Sequence, residues 1–447
     1  MISASTRSRA IGALCTSALC AGLLVGAAPA FGSKQGGGGG GGPDAAVPGE
    51  VLVQLTGTAA LNPLLLEYSL SLAGQFGARP IYRLKAAGTT DVSATIAALK
   101  LEPTVLNAEP NAVHQSPEAR VNNAWAIGTA TGYTAQWAPA AMRLAEAQKL
   151  STGAGMRVAV LDTGIDAAHP ALAGRLLPGF DFVDFDADPS EVGSPATSSS
   201  FGHGTHVAGL VAMVAPDAKI MPLRVLDANG MGNAWVLGEA LLRAVDPDGN
   251  PATNDGAHVI NMSLGSTRRT QILDTLGRLA SCAIPPAVLL PTDELADPGY
   301  NGDRDRCNAF SGAVVVAAAG NDGTDAVRQY PAAEGFYGLL SVGASTSAGR
   351  LADFSNFGSS VDVTAPGVGI TSTIPGGGFA TWSGTSMAAP LASGVAALLR
   401  SADPALAPRD VARRLIRTGA TLCGDAKLAQ IDAAAALLDS RPALFCP

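Results

Sequence analysis

The chain has 447 residues, of which 47% are hydrophobic, and this is enough for a substantial core with room for accessory units. Its 29 Lys and Arg against 37 Asp and Glu give a formal net charge of -8, and the basic residues form no dense block. The sequence therefore lacks the basic patch with which nucleic-acid-binding proteins contact phosphates, and we expect no nucleic-acid partner.

The N-terminus has the pattern of a secretion signal. Arg7 and Arg9 precede an apolar run over residues 11–25, which ends in the small residues of 28–30. This run is shorter than the roughly 20 apolar residues that a membrane-spanning helix needs. We therefore assign residues 1–30 to a signal peptide and expect a secreted, extracellular protein without a stable membrane anchor. Passage through the periplasm is compatible with the same signal.

The next segments divide the chain into a linker and two folded units. Seven consecutive glycines at 36–42 predict a flexible linker over residues 31–47. Strand-like alternation in "EVLVQL", a helical pattern in "ATIAALK" and a strand-like "TVLNAEPNAV" predict a small α+β unit over residues 48–115. The remaining residues, 116–447, form the larger domain.

Within the larger domain, short runs of β-branched and small apolar residues alternate with helical stretches. Near-continuous apolar runs indicate strands that are buried on both faces, and their alternation with helices indicates a mainly parallel sheet. The fold class is therefore α/β, and functional groups are expected beyond the carboxyl ends of the strands. The runs are "RVAVL", "AKIMPLRVL", "AHVINMSL", "GAVVVAAAG" and "LLSVGAS".

Three polar residues stand at such positions. Asp162 directly follows "RVAVL", His203 opens "HGTHVAGLVAMV", and Ser386 precedes the small apolar run "MAAPLASGVAALL" at a predicted helix start. Histidine is suited to act as a base near neutral pH, and a helix N-terminus favours the oxyanion that a serine forms. Each residue alone could be a turn or helix cap. Together they predict the acid, base and nucleophile of a serine hydrolase.

Two further residues have alternative interpretations. Asn321 stands just beyond another buried strand, and its amide could donate to a developing oxyanion or could stabilise its own turn. His203 and His206 have a His-x-x-His spacing, but a zinc site is disfavoured because there is no His-Glu-x-x-His motif and no nearby cysteine. We leave metal ligands unassigned.

The motifs carry a family resemblance that spans about Tyr133 to Asp439. In this region the chain resembles the subtilisin-like serine proteases, whose catalytic residues also follow the order Asp, His, Ser. The resemblance implies a three-layer fold and a serine-type endopeptidase that needs no cofactor for its chemistry. The matching pieces are "VAVLDTGID", "HGTHVAG", "INMSLG", "AAAGNDG", "FSNFG", "TAPG" and "GTSMAAP".

The resemblance also implies a role for each catalytic residue. Asp162 would support His203, which takes the proton of Ser386 as the serine attacks the scissile carbonyl. Asn321 and the backbone N–H of Ser386 would stabilise the oxyanion. Asp322, which follows the oxyanion asparagine, is hypothesised to favour a basic residue on the acyl side of the cut.

Protein and peptide substrates are the implied partners. In the family an extended substrate pairs with cleft backbone as an added strand, so we expect broad specificity. The corresponding residues here are Ser263, Leu264, Gly265, Gly232 and Asn233.

The small unit at 48–115 resembles the family's inhibitory propeptide, which assists folding and blocks the cleft until it is cleaved. We expect the chain itself to make this cut, between His114 and Asn123. The protein would thus be made as a zymogen with its own propeptide as an intramolecular inhibitor.

Four cysteines remain after removal of the signal. An even number suits an oxidising compartment, and we favour disulfides Cys282–Cys307 and Cys423–Cys446 among the three connectivities. The first pair lies in a stretch at 266–312 that is longer than compact family members use, and its role is not assigned.

Two acidic stretches, "FDFVDFDADPSE" and "DPDGNPATND", offer oxygen ligands of the type that calcium prefers. Members of the family often hold structural calcium. Because the ligand spacing of a calcium loop is incomplete in both stretches, solvated acidic loops are the preferred interpretation.

Three other functions fit the sequence less well. A catalytically inactive binding or surface protein of the same fold would lack a triad member, whereas all three are present. An esterase of the α/β-hydrolase type needs a Gly-x-Ser-x-Gly elbow and the order Ser, Asp, His. A surface adhesin would be expected to add repeats or an anchor.

Overall fold

The computed structural model describes residues 45–88, 91–120, 126–283 and 305–442. The expected signal peptide, the glycine run, most of the stretch that follows Cys282, and Cys446 lie outside these residues. In the described part the chain folds into a smaller N-terminal unit and a larger α/β domain, which confirms the predicted fold class.

The strands form three sheets. In chain order they are β1 (Ala46–Leu55), β2 (Leu70–Gln75), β3 (Ile81–Ala86), β4 (Val105–Gln115), β5 (Ala126–Ile127), β6 (Arg157–Asp162), β7 (Phe180–Asp181), β8 (Lys219–Arg224), β9 (Met231–Asn233), β10 (Val259–Met262), β11 (Val314–Ala318), β12 (Leu339–Ser345), β13 (Val363–Pro366), β14 (Ile370–Ile374), β15 (Gly378–Trp382), β16 (Ala420–Leu422) and β17 (Asp425–Gln430).

The helices lie between and around these strands. They are α1 (Leu61–Glu67), α2 (Ser93–Leu99), α3 (Pro117–Arg120), α4 (Ala130–Ala135), α5 (Trp137–Ala141), α6 (Leu144–Ala147), α7 (His203–Val214), α8 (Ala234–Val245), α9 (Gln271–Ser281), α10 (Thr385–Ala402), α11 (Pro408–Arg417) and α12 (Ala433–Leu438).

The central sheet has the strand order β16-β17-β13-β12-β11-β10-β6-β8-β7, and its pairings are parallel except for β16 with β17. Side chains of β6 alternate between two cores: Val158 and Val160 pack with α7 and α10, whereas Ala159 and Leu161 pack with α8 and α9. Both faces of the sheet are therefore covered by helices, as the continuous apolar strands predict.

Helix α10 runs through the core, and its residues from Thr385 to Arg400 are buried. A Cβ added at Gly394 would lie 2.4 Å from the Cβ of Val214, so glycine allows the close approach of α10 to α7. Pro390 lies beyond the first turn of α10. Since proline has no N–H for the carbonyl of Ser386 four residues earlier, the hydroxyl of Ser263 donates to that carbonyl over 3.0 Å instead.

The N-terminal unit is an antiparallel sheet in the order β2-β3-β1-β4, packed against α1 and α2. Its first strand begins at Ala46, inside the range assigned to the linker. Strand β4 also pairs with β9 of the larger domain. Glu109 strengthens this junction, because its carboxylate accepts from the N–H groups of Gln271 and Ile272 at the start of α9.

The cysteines in the described residues are disulfide-bonded. The disulfide Cys282–Cys307 is present as predicted. Cys423 is also disulfide-bonded, and its predicted partner lies outside the described residues. None of the helices in the described ranges is both long and apolar enough to cross a membrane.

Candidate active site

The first contact of the site joins the end of β6 to the start of α7. Asp162 is the last residue of the strand and His203 the first of the helix. The Nδ1–H of His203 donates to Oδ1 of Asp162 over 2.6 Å, and the N–H of Thr163 donates to the same oxygen over 2.8 Å. Because the carboxylate holds one ring nitrogen, the other nitrogen of His203 is available to neighbouring groups.

Ser386 is the second residue of α10 and is fully buried. Its N–H lies in the first helical turn, where backbone amides have no partner within the helix and form the positive end of the helix dipole. The site therefore offers an N–H donor next to the hydroxyl, as the sequence suggested.

Asn321 has its side-chain amide held in one orientation. Its Oδ1 accepts from both the N–H and the hydroxyl of Thr385, each over 2.9 Å. The hydroxyl of Thr385 in turn accepts from the N–H of Gly320 over 3.1 Å. Since the oxygen end of the amide is occupied, the Nδ2 end of Asn321 points into the site. Sequence reasoning did not identify Thr385, although it stands directly before the expected nucleophile.

A carboxylate from outside the predicted set occupies the centre of the site. Oε2 of Glu118 accepts from Oγ of Ser386 over 2.6 Å and from Nε2 of His203 over 3.1 Å, and Oε1 accepts from Nδ2 of Asn321 over 2.9 Å. A Cβ added at Gly384 would lie 1.9 Å from Oε1, so only glycine leaves room for this carboxylate. We call this set of hydrogen bonds the Glu118 contact.

Sequence reasoning missed Glu118, although a signal was available. The propeptide cut is expected between His114 and Asn123, and Glu118 is the single acidic residue in this interval. A carboxylate in that interval is a candidate partner for a histidine and an oxyanion donor.

Asp162 and the Glu118 contact together determine the protonation of His203. Burial lowers the pKa of this imidazole, but the charges and hydrogen bonds of Asp162 and Glu118 outweigh burial and raise the pKa to about 10. Burial raises the pKa of Glu118, whereas the hydrogen bonds from His203, Ser386 and Asn321 hold it below its usual range. His203 is thus a cation at neutral pH in this arrangement and cannot accept the proton of Ser386.

The segment before Glu118 lies along the predicted substrate-binding backbone. In the antiparallel pairing of β4 with β9, Val113 is opposite Asn233 and His114 is opposite Gly232. An extended part of the chain therefore adds a strand to the loop for which the sequence predicted substrate pairing.

The other side of this added strand contacts the "SLG" segment. The N–H of Gln115 donates to the carbonyl of Gly265 over 2.9 Å, and the N–H of Gly265 donates back over 2.8 Å. The side chain of Leu264 is fully buried, so this residue offers only its backbone to the cleft. Residues on both sides of the cleft thus hold one extended chain by main-chain hydrogen bonds.

His206, the alternative zinc ligand, faces a carbonyl. Its Nε2 lies 3.1 Å from the oxygen of Ala380, and its ring stacks on Trp382 with centroids 5.0 Å apart. Burial lowers the pKa of His206 to about 3, so the ring is neutral. Its position is explained by this hydrogen bond and by the ring contact with Trp382.

The two acidic stretches are arranged differently. In the first, the guanidinium of Arg224 binds the carboxylates of Asp181 and Asp184, the latter over 2.6 Å. In the second, three carboxylates of the loop 246–255 lie within 4.8 Å of one another. An arginine supplies the positive charge in the first stretch, whereas the second is a partly exposed acidic cluster, and acidic clusters are common without an ion.

A carboxylate, an imidazole and a hydroxyl at the carboxyl edge of a parallel sheet, beside an amide donor and a peptide-binding backbone, define a serine-type peptidase. Comparison with known proteins agrees. The profile of the subtilase family matches residues 153–433. A thermophilic serine proteinase from Bacillus sp. (strain AK1) is 36% identical over 322 residues, which are 70% of this chain and 67% of that protein.

Two further comparisons extend this match. An extracellular protease from Xanthomonas campestris pv. campestris is 34% identical over 348 residues, which are 69% of this chain and 53% of that protein. The crystal structure of fervidolysin from Fervidobacterium pennivorans, a keratinolytic enzyme related to subtilisin, has the same fold, with a TM-score of 0.65 and 22% identity over 88% of this chain and 61% of that one. The chain belongs to the subtilase family of serine-type endopeptidases.

Proposed function

We propose that this chain is a secreted serine endopeptidase made as a zymogen, in which Asp162, His203 and Ser386 form the catalytic triad and residues 48–115 form the propeptide. One observation carries the proposal: an extended strand of the chain lies in the cleft and places Glu118 on the nucleophile, the base and the amide donor. A cleft that binds its own strand in this way is suited to peptide substrates.

The mechanism follows from these positions once Glu118 has left. His203 takes the proton of Ser386 as its oxygen attacks the scissile carbonyl, while Asp162 orients and stabilises the imidazolium. Nδ2 of Asn321 and the N–H of Ser386 donate to the oxyanion. His203 then gives the proton to the leaving amine, and water, deprotonated by the same imidazole, hydrolyses the acyl-enzyme. No cofactor takes part, and calcium, if bound at 246–255, would act on stability alone.

The inhibited state is explained by the same groups. The Glu118 contact presents a carboxylate, which has no leaving group, at the position where a carbonyl would be attacked. It also keeps His203 protonated, since it places a second negative charge beside the ring. Activation therefore begins when the segment containing Glu118 leaves the cleft, which frees the triad of the chain to cut a peptide bond within 114–123 and makes the release permanent.

Secretion is supported by three features. The N-terminal 30 residues have the composition of a signal peptide. The disulfide Cys282–Cys307 suits an oxidising compartment. The Xanthomonas relative is named as an extracellular protease.

The direct test is to compare the wild-type protein with Ser386→Ala after secretion. A fluorophosphonate probe should label the wild type at Ser386, and denatured protein substrates should be cleaved. Ser386→Ala should keep its fold, lose both activities, and retain the full N-terminal unit in a host that lacks other proteases. Ser393→Ala is the matched control, because it removes a buried hydroxyl from the same helix that bonds Asn261 instead.

Failure of the probe to label the mature wild type would revive the alternative of a catalytically inactive binding or surface protein. Normal processing of Ser386→Ala in the protease-free host would instead contradict self-cleavage alone. N-terminal sequencing of the secreted protein locates the cut in either case.

A further inference from the structure

Glu191 lies in the loop between β7 and α7, and its carboxylate is enclosed by donors from the two elements that carry the catalytic acid and base. Oε1 accepts from the N–H of Thr205 over 3.0 Å and from its hydroxyl over 3.1 Å. Oε2 accepts from the N–H of Gly202 over 3.2 Å and from the hydroxyl of Thr163 over 3.1 Å. Gly202 precedes His203, and Thr163 follows Asp162.

The donors are themselves connected across the same junction. The hydroxyl of Thr163 accepts from the N–H of Gly204 over 2.9 Å, and the hydroxyl of Thr205 accepts from the N–H of Asp166 over 2.9 Å. Both bridges run between the turn after β6 and the first turn of α7. The carboxylate of Glu191 is thus the centre of a network that fixes the start of α7 against the end of β6.

This arrangement is costly for a residue that only caps a helix. Burial raises the pKa of Glu191 to about 7, and the nearby charge of Asp162 adds to that effect, whereas hydrogen bonds from Gly202 and Thr205 oppose it. A serine or asparagine would cap the helix without placing a second buried carboxyl beside Asp162. A neutral cap would lack the four simultaneous hydrogen bonds that Glu191 accepts from the end of β6 and the start of α7.

We propose that Glu191 is a positioning residue, which holds the first turn of α7 at the angle that keeps Nδ1 of His203 on the carboxylate of Asp162. The inference rests on the proposed triad. It assigns Glu191 no contact with substrate, because its described hydrogen bonds go to Thr163, Gly202 and Thr205 and none goes to the strand-binding backbone.

The test uses mature Glu191→Gln and Glu191→Ala, with active sites titrated by the fluorophosphonate probe. Glu191→Gln keeps the shape but turns an NH₂ group toward backbone donors. We expect kcat per titrated site to fall about tenfold for Gln and more for Ala, with KM unchanged within about twofold, because misplacement of a catalytic group slows chemistry rather than binding. Glu334→Gln is the matched control, since Glu334 is a buried carboxyl whose pKa burial also raises to about 7, and it bonds Arg269 rather than the site.

Several results would overturn the inference. One is a normal kcat for Glu191→Gln together with a lower melting temperature, which would make Glu191 a structural cap. A second is a decrease in kcat/KM that comes entirely from a higher KM. A third is an equal decrease in kcat for Glu334→Gln. If Glu191→Ala does not accumulate, Glu191→Gln decides alone. Absence of probe labelling in the wild type would refute the proposed function instead, and so the two failures are distinguishable.

Discussion

Replacement of Glu118 by alanine in the uncleaved chain should expose Ser386 to reaction. With a pKa of about 10, His203 is neutral at pH 7.5 in about one molecule in 300, since each pH unit below the pKa lowers the neutral fraction tenfold. Removal of Glu118 takes away one of the two carboxylates that raise this pKa. We therefore expect the reactivity of Ser386 in the uncleaved chain to rise about 10²-fold, up to the limit set by a mostly neutral imidazole.

The assay is fluorophosphonate labelling of freshly synthesised protein, with uncleaved and cleaved chains separated on a gel. The labelling rate of the uncleaved band is compared for wild type, Glu118→Ala and Glu118→Gln. Glu67→Ala is the control, since it removes an exposed glutamate from helix α1 of the N-terminal unit. Equal labelling rates of the uncleaved wild type and Glu118→Ala would refute the reasoning and leave only steric blockage by the strand in the cleft.

The pH dependence has a defined sign. Because the pKa of His203 is raised above its usual 6.5, its contribution to the Glu118 contact is complete below pH 6.5 and is lost as pH rises through about 10. Because the pKa of Glu118 is lowered from 4.5, its contribution is present above pH 4.5 and is lost as pH falls through the lowered value. The labelling rate of the uncleaved wild type should therefore rise about tenfold per pH unit between pH 7 and 9, whereas the rate for Glu118→Ala should reach its plateau at a lower pH.

Two further predictions concern specificity and metal. Asp322→Ala should lower kcat/KM for a peptide with Arg on the acyl side more than for its Phe analogue, by only about threefold. The effect is small because the carboxylate of Asp322 is exposed and already accepts hydrogen bonds from the amides of Gln329 and Asn356. An equal loss with both peptides would contradict the assignment. A chelator should leave the melting temperature unchanged, because Arg224 binds Asp181 and Asp184 in the first acidic stretch and the second stretch is a partly exposed loop. A clear decrease that added calcium reverses would show that calcium stabilises the fold.

The sequence was sufficient for the sheet and for the elements that carry the site. Strands buried on both faces have continuous apolar runs, which the five quoted segments reproduce, and polar residues directly after them mark the carboxyl edge of the sheet. Asp162 and Asn321 could be placed at strand ends for this reason. His203 and Ser386 could be placed at helix starts because small or apolar helical segments follow them.

The contacts that depend on side chains meeting from distant segments could not be predicted in the same way. Glu118 reaches Ser386 across 268 positions of sequence, and Asn321 meets Thr385 across 64. No periodicity in the sequence indicates such side-chain pairs, because they depend on the register of β4 against β9 and on the depth of α10 in the core. Glu191 was quoted only as the end of an acidic stretch, where its sequence context resembles that of a solvated loop.

A single proline explains why a side chain, rather than a peptide bond, occupies the active centre. Strand pairing in the cleft continues as far as Ser116, whose N–H donates to the carbonyl of Gly230 over 3.0 Å. Pro117 has no N–H with which to continue a ladder, and its fixed φ suits the first position of a helix, which here is α3. The backbone therefore turns beside Ser386, and Glu118, the next residue, extends its carboxylate to the hydroxyl of Ser386. Because a carboxylate offers nothing to expel, the chain can fill its own cleft with an extended strand and still remain uncut at that position.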